Sequence, residues 1–126
     1  MNEATPSDGK WILLVEDDAD NREVLCEVLR SEGFAVTEAV HGADALARIR
    51  GADGPPGLVL LDLMMPVMNG WQFLAELRGD RALSSTPVVL LTAGRDVDAR
   101  AIDANDLVRK PVHLPDLLAK VERWLR

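Results

Sequence analysis

The sequence predicts a doubly wound α/β fold, in which five parallel strands alternate with helices on both faces of the sheet. Short apolar runs of strand length recur along the chain, helical apolar stripes separate them, and Gly- or Pro-containing loops interrupt the pattern. The chain has 126 residues, the length of one domain. We expect residues 1–10 to be a flexible leader and residues 11–126 to form the domain.

The first strand is predicted at residues 11–15, an apolar run that ends in acidic residues. The first helix follows, with Asp20 as its cap and Gly33 as its stop. Its apolar stripe is taken as Val24, Leu25, Val28 and Leu29. Cys26 lies off this stripe and is expected to be exposed. Asp18 is expected to be merely solvated.

The second strand and helix are predicted at residues 34–39 and 43–49, and the third strand at residues 58–61. A loop containing Pro66 and Gly70 follows. The third helix then begins with a capping box, a reciprocal pair of side-chain to backbone hydrogen bonds that Asn69 and Gln72 can form.

The last third of the chain continues the alternation. The fourth strand is predicted at residues 88–91 and the fifth at residues 107–108. The intervening residues 96–104 form a polar and only weakly helical stretch. Pro115 suits the first turn of the last helix, because a helix's first amide groups need no hydrogen-bond partner within it.

Charge and composition exclude several classes of function. The chain has 14 Lys and Arg residues against 21 Asp and Glu, a net charge of -7, so its surface repels nucleic acid and anionic lipid on average. No apolar run approaches the roughly eighteen residues of a membrane span, and the amino terminus does not resemble a signal peptide. We therefore expect a cytoplasmic protein with neither nucleic acid nor membrane as partner.

The polar residues that could bind metal or react with a ligand all follow predicted strands. Glu16 and Asp17 follow the first strand, and Asp62, Thr92 and Lys110 follow the third, fourth and fifth. Ligands bind beyond the carboxyl ends of the strands in such sheets, so these side chains should meet at one edge. Two carboxylates ~4 Å apart repel by about 4 kcal/mol at an effective dielectric constant near 20, so a cation is needed among them.

Magnesium is the cation that this oxygen-rich set favours, because it prefers carboxylate and water ligands and leaves positions for phosphate oxygens. Asp62 stands alone at its strand end and is the candidate nucleophile, whereas Glu16 and Asp17 are better placed to hold metal. Lys110 and the Thr92 hydroxyl would bind phosphoryl oxygens.

These residues give the chain a family resemblance, carried by residues 15–18, 60–66, 91–93 and 110–111. In their order and their positions at strand ends they resemble the response-regulator receiver domains of two-component signalling. The resemblance runs from about Trp11 to Arg126. It implies a flavodoxin-like sheet with strand order 2-1-3-4-5, and a cis bond between Lys110 and Pro111.

The resemblance also implies a function and a set of site residues. Asp62 would receive a phosphoryl group from a phosphohistidine on a sensor histidine kinase or a histidine phosphotransfer protein. Mg²⁺ would be held by Asp17, Asp62 and the backbone carbonyl of Met64, with Glu16 acting mainly through water. The downstream target is not implied. Because the last predicted helix ends the sequence, we expect either a stand-alone regulator or an excised domain.

Three features depart from the family pattern. Leu107 occupies the position of the usual Tyr or Phe, so readout of Thr92 through an aromatic ring is not expected. The segment between Thr92 and Lys110 is shorter than usual, and low local order is predicted for residues 94–106. Met64 and Gly94 stand at positions that tune the lifetime of the phosphoryl group.

Two alternatives to a phosphoacceptor regulator stay open. A magnesium-dependent phosphohydrolase could also use an aspartyl nucleophile, but that class resembles this chain less, since it carries a second Asp where Met64 stands. A receiver-like scaffold that is never phosphorylated is the other alternative. The acidic pair, Thr92 and Lys110 argue against it, so we expect a regulator and not an enzyme.

Overall fold

Five parallel strands form the centre of the structure, a computed structural model that describes residues 10–63, 69–93, 98–99 and 102–125. The spatial order of the strands is β2-β1-β3-β4-β5, as predicted. Their bounds lie within one or two residues of the predicted ones: β1 Ile12–Val15, β2 Val36–Ala39, β3 Leu58–Asp62, β4 Val88–Thr92 and β5 Asp106–Arg109.

Helices cover both faces of this sheet. The helices that the structure describes are α1 Ala19–Ser31, α2 Gly42–Arg50, α3 Gly70–Gly79 and α4 Leu114–Leu125. The apolar residues of α2 and α3 pack in one core cluster, and those of α1 and α4 pack in another on the opposite face. None of these helices is long and apolar enough to cross a membrane.

Alternation along β1 shows why its sequence is apolar throughout. Leu13 and Val15 belong to the cluster beneath α2 and α3, whereas Ile12 and Leu14 belong to the cluster beneath α1 and α4. Successive side chains of a strand point to opposite faces, so a strand covered on both sides needs apolar residues at every position. Polar residues can therefore enter only where such a strand ends.

The register of the strands aligns those ends. Val15 pairs with Leu61, so Glu16 and Asp62 follow at the same level on neighbouring strands. In the same way, Asp62 pairs with Leu91 and Thr92 pairs with Arg109. The polar residues predicted to meet at the carboxyl edge of the sheet are thus brought together by the register.

Helix α1 is rotated relative to the prediction. Its buried residues are Leu25, Cys26 and Leu29, and Cys26 is only 2% exposed, whereas Val24 is 52% exposed. The predicted stripe was therefore displaced by about one residue, and the expectation of an exposed Cys26 was wrong. A thiol packs as a small apolar group, which explains its place in the core. Burial, and then the negative charge of Glu38, raise the pKa of Cys26 to about 11.

The cap of α1 also differs from the prediction. Asp18 is the N-cap, and its Oδ1 accepts a hydrogen bond of 3.0 Å from the backbone N–H of Asn21. Asp20 lies inside the first turn instead. Both residues have side chains that can cap a helix, and the sequence pattern favoured Asp20 because Glu23 stands three positions later. The capping box of Asn69 and Gln72 at α3 is confirmed.

The connection between β4 and β5 includes residues 94–97 and 100–101, which lie outside the described residues. Within the described part, the carbonyl of Ala99 accepts hydrogen bonds from the N–H groups of Ile102 and Ala104. Ala99 is buried in the core, and Ile102 packs against the same cluster. The low order predicted for residues 94–106 stays a prediction.

Arg78 of α3 binds the backbone at the amino ends of β4 and β5. Its guanidinium donates to the carbonyl oxygens of Ser84 at 2.9 Å, Thr86 at 2.7 Å and Asp103 at 3.0 Å, and to Oδ1 of Asn105 at 3.0 Å. The side chain is only 15% exposed. Arg78 thus joins α3 to the loop before β4 and to the residues before β5.

Asp106, the first residue of β5, has a similarly full set of partners. Its carboxylate accepts hydrogen bonds from Lys120 at 3.0 Å, Trp124 at 3.0 Å and the N–H of Leu107 at 2.9 Å. Burial alone would raise the pKa of this carboxyl group, but the bonds from Trp124 and Lys120 outweigh burial and lower it. These contacts attach α4 to the edge of the sheet.

Candidate metal centre

Three carboxylates meet at the carboxyl edge of the sheet. Glu16 and Asp17 follow β1, and Asp62 is the last residue of β3. Each offers one oxygen atom, and these three oxygens lie within 4.8 Å of one another. Glu16 and Asp62 are buried, at 1% and 5% exposure, whereas Asp17 is exposed. The cluster is therefore open to solvent on the side of Asp17.

Lys110 enters the cluster from the end of β5. Its Nζ lies 3.0 Å from Oε1 of Glu16 and 3.7 Å from Oδ2 of Asp62. Burial lowers the pKa of Lys110, but the hydrogen bond to Glu16 and the negative charges of Asp62, Glu16 and Asp17 outweigh burial and raise it. The lysine is thus held in its charged form, directed at the two buried carboxylates.

The position of Lys110 is fixed by its backbone. Its N–H donates a 2.8 Å hydrogen bond to the carbonyl of Thr92, which extends the pairing of β4 and β5 by one step. The bond between Lys110 and Pro111 is cis, as the resemblance implied. Thr92 itself is 5% exposed at the end of β4.

The donor set suits a small hard cation. Among these four side chains, three carboxylates against one ammonium leave two negative charges in excess. All three candidate ligands supply oxygen, which Mg²⁺ prefers to nitrogen or sulfur. The open side next to Asp17 leaves room for the water or phosphate ligands that Mg²⁺ retains. The residues present therefore fit the predicted metal.

The peptide that carries the acidic pair is bound by groups that sequence reasoning missed. Nη1 of Arg22 donates to the carbonyl oxygens of Glu16 at 2.9 Å and Asp17 at 3.4 Å. The N–H of Asp18 donates to Oε2 of Glu16 at 3.2 Å. Arg22 lies early in α1, so its helical position could have indicated that it reaches back over this loop.

Gly70 lies close to the backbone of Asp62 and Leu63. Its N–H donates to the carbonyl of Leu63 at 2.9 Å, and a Cβ atom at this position would lie 2.6 Å from the Cα of Leu63 and 2.8 Å from the carbonyl oxygen of Asp62. Sequence analysis treated Gly70 only as a loop residue. In the structure, Gly70 is the first residue of α3 and packs against the backbone of Leu63, the residue after Asp62.

The sequence analysis also named Met64 as a site residue and Gly94 as a residue that tunes the lifetime of the phosphoryl group. Met64, the predicted carbonyl ligand, and Gly94 lie outside the described residues, so both assignments stay predictions. Leu107 is half-buried, pairs with Leu90 in the sheet, and packs against the core cluster beneath α2 and α3. Its lack of an aromatic ring is a fact of the sequence, and the effect on readout stays a prediction.

Comparison with known proteins identifies relatives over nearly the whole chain. The chain is 42% identical over 119 residues to the DNA-binding response regulator MtrA of Mycolicibacterium paratuberculosis, a match that covers 91% of this chain and 51% of that protein. It is 39% identical to a CpxR homologue described as a transcriptional regulatory protein of Haemophilus influenzae, with coverage of 91% and 50%.

The chain spans about half the length of these relatives. DNA binding is part of the name of the whole MtrA protein. The charge of this chain led to the expectation that nucleic acid is not a partner. That expectation concerns this chain alone and says nothing about the rest of the longer relatives.

Solved structures show the same fold. The receiver domain of sensor histidine kinase PA1611 from Pseudomonas aeruginosa has a TM-score of 0.83 at 30% identity, covers 93% of this chain and 98% of its own, and has a magnesium ion coordinated in its active-site cleft. The Vibrio cholerae chemotaxis protein CheY4 has a TM-score of 0.81 at 27% identity, with coverage of 90% and 96%.

The family comparison agrees with both. The response regulator receiver domain family matches residues 12–122, and the predicted division into a leader and a domain is compatible with that range but stays a prediction. With five strands in the order β2-β1-β3-β4-β5 and an acidic cluster at their carboxyl edge, the chain belongs to the response regulator receiver domains of two-component signalling.

Proposed function

We propose that Asp62 is the phosphoacceptor of this receiver domain and that it takes its phosphoryl group from a phosphohistidine of a sensor histidine kinase or histidine phosphotransfer protein. The observation that carries the proposal is the position of Asp62. It ends β3 inside the acidic cluster, with Lys110 Nζ 3.7 Å from its Oδ2. No other carboxylate of the cluster ends a strand, since Glu16 and Asp17 lie in the loop after β1.

The proposed reaction is a single group transfer. A carboxylate oxygen of Asp62 attacks the phosphorus, and the bond from phosphorus to the histidine nitrogen breaks. That nitrogen keeps the electron pair of the broken bond. When the other ring nitrogen of the phosphohistidine carries a proton, the histidine side chain therefore leaves as a neutral imidazole. The product on this chain is an aspartyl phosphate.

Lys110 and Thr92 have distinct roles in this proposal. Lys110 holds Glu16 at 3.0 Å before reaction, and its charge would pair with a phosphoryl oxygen on Asp62 afterwards. Thr92, at the next strand end, would donate its hydroxyl to another phosphoryl oxygen. Both groups stabilise negative charge where it develops.

Asp17 and Asp62 would bind Mg²⁺ directly, with Glu16 acting through water and the carbonyl of Met64 as a further ligand. When bound, the metal would neutralise charge on the phosphoryl oxygens and on the cluster. The excess of two negative charges among Glu16, Asp17, Asp62 and Lys110 supports this assignment.

We propose a regulator rather than a hydrolase. An aspartyl-nucleophile phosphohydrolase needs a second carboxyl group as general acid and base near its nucleophile, and the position two residues after Asp62 is Met64. An aspartyl phosphate on Asp62 would therefore lack a general acid and base at that position for its own hydrolysis.

The proposal is tested by phosphorylation with a small donor. Incubation with acetyl phosphate and Mg²⁺ should add one phosphoryl group, measured by intact mass spectrometry, and chelation by EDTA should prevent the addition. Asp62→Asn should not be labelled. Asp53→Asn, which makes the same change at an exposed turn, should be labelled like the parent. Equal labelling of Asp62→Asn and the parent would show that the acceptor is misassigned.

A further inference from the structure

Arg22 joins the acidic loop to β2. Nη1 of its guanidinium donates to the carbonyl oxygens of Glu16 at 2.9 Å and Asp17 at 3.4 Å. Its Nε lies 3.3 Å from Oε1 of Glu38 on β2. The Arg22 side chain is 17% exposed and that of Glu38 is 38% exposed, so these contacts are partly buried at most.

Asp17 and Glu16 differ in how they are held. Glu16 is buried, and its carboxylate is bound by Lys110 and by the N–H of Asp18. Asp17 is exposed, so core packing does not fix its side chain. The direction of the Asp17 side chain therefore depends on the orientation of its peptide, and the carbonyl groups on both sides of the Asp17 Cα are those that Arg22 binds.

Glu38 connects Arg22 to the sheet. It lies in β2, and its strand neighbour in the sheet is Leu14 of β1, two residues before Glu16. The path from Glu38 through Arg22 to the loop carbonyls thus begins on β2 and ends in the loop that follows the neighbouring strand β1. An arginine can bridge the two groups because its planar guanidinium carries several donors in a fixed geometry, which a lysine ammonium does not.

The charge of Arg22 and its hydrogen bonds should have opposite effects on the affinity for a metal ion. A guanidinium near a site for a divalent cation repels that cation, so removing the charge alone would strengthen metal binding. Loss of the hydrogen bonds would instead free the Asp17 peptide and weaken metal binding. The sign of the change on mutation therefore separates the two effects.

We infer that Arg22 is a positioning residue for metal binding: it orients Asp17 as a ligand through the carbonyl groups of Glu16 and Asp17, and Glu38 holds it in place. This inference rests on the proposed magnesium site. It adds a residue outside the acidic cluster whose cationic side chain increases affinity for a cation.

The test is the dissociation constant for Mg²⁺, measured by isothermal titration calorimetry without any phosphodonor. Arg22→Met removes the charge and the donors while keeping an unbranched chain, and it should raise the dissociation constant roughly tenfold, at the lower end of effects seen for residues that orient metal ligands. Arg22→Lys loses the bridge but keeps a charge that repels the cation, so it should raise the dissociation constant at least as much as Arg22→Met does.

Arg30→Met is the matched control. Arg30 lies in the same helix, pairs with the same Glu38 at 3.5 Å and also donates to a carbonyl, that of Val36 at 2.8 Å. It should leave the dissociation constant unchanged or lower it slightly. Thermal melts in EDTA, recorded for every variant, report fold stability separately from metal affinity.

Each outcome decides the matter. Weaker binding in Arg22→Met with unchanged binding in Arg30→Met supports the inference. Unchanged or tighter binding in Arg22→Met overturns it while the proposed function stands, as does an equal loss in both variants. A parent protein that does not bind Mg²⁺ overturns the inference and the proposed metal site together. If Arg22→Met does not fold, the comparison of Arg22→Lys with Arg30→Met decides in the same way.

Discussion

The two ends of the sheet differ in how their charged side chains are paired. At the carboxyl end, one oxygen from each of three carboxylates lies within 4.8 Å of the others, and the ammonium of Lys110 contacts two of these carboxylates. At the amino end, the partly buried guanidinium of Arg78 has four oxygen acceptors, and the carboxylate of Asp106 has three donors. Among the side chains named here, the carboxyl end has an excess of negative charge, whereas each charged group at the amino end has several partners of opposite polarity.

This difference shows which charged groups point to function. A buried charge with complete hydrogen bonds stabilises the fold as long as its partners remain, and removing one partner is costly. A cluster with excess like charge destabilises the fold until something binds to it. Unbalanced charge, and not the mere presence of ionised residues, therefore marks the site.

The largest effect on stability is expected at the amino end. Arg78→Met should lower the free energy of unfolding by about 3 kcal/mol, because partly buried carbonyl groups lose a charged donor. Equilibrium unfolding in urea measures it. Arg81→Met, at an exposed neighbouring position, should change the value by less than about 0.5 kcal/mol. Similar values for the two variants would show that the Arg78 bonds do not stabilise the fold.

Gly70→Ala should cost roughly 2 kcal/mol of unfolding free energy, because its Cβ would meet the backbone of Leu63 and Asp62 below 3.0 Å. Gly79→Ala makes the same change at the other end of α3, where nothing lies within 4 Å of the new atom. It should be neutral or stabilising by up to about 1 kcal/mol. Urea unfolding of both variants tests the contact, and a loss as large in Gly79→Ala would refute it.

Asp106 should make stability depend on pH in the acid range. The pKa of its carboxyl group is lowered in the folded state from an ordinary value of 3.8, so its contribution is complete above that value and is lost as pH falls through the folded pKa. Asp106→Asn should therefore be less stable than the parent by about 1 kcal/mol at neutral pH, with the gap closing below about pH 4. Unfolding curves at several pH values measure the gap, and a gap that widens on acidification would contradict the assignment.

The smallest effect, of opposite sign, is expected at the carboxyl end. Asp17→Ala should raise the melting temperature in EDTA by roughly 2–5 °C, because it removes one of three mutually repelling carboxylates. The same variant should lose most of the stabilisation that Mg²⁺ gives the parent. Melting curves with and without the metal test both halves. A lower melting temperature in EDTA would mean that Asp17 is held by a stabilising partner.

The sequence was enough to predict the fold because its strands are covered on both faces. Apolar runs such as Leu58–Asp62 are nearly continuous, and a polar residue can appear only where the run ends. The same property predicted Asp62, Thr92 and Lys110 as site residues. Their meeting followed from parallel strands in register, which a regular alternation of strands and helices implies.

Helix rotation and backbone contacts were not predictable in the same way. The stripe of α1 was displaced because Val24 is as apolar in sequence as Leu25, and only packing against the sheet makes Cys26 the buried residue. Arg22 was missed because its partners in the acidic loop are backbone carbonyls: its place early in α1 can suggest that it reaches back over the loop, but not which groups it binds. The clash at Gly70 depends on how closely α3 approaches β3, a distance that residue types alone do not determine.

The burial of Cys26 also determines how the domain can be studied by chemical labelling. With its pKa raised to about 11, only about one thiol in a thousand is ionised near pH 8, and alkylating reagents attack the thiolate. The native cysteine should therefore remain unmodified while a cysteine introduced at exposed Trp71 reacts. A fluorophore or spin label can be attached beside the candidate site at the start of α3 without first replacing a core residue.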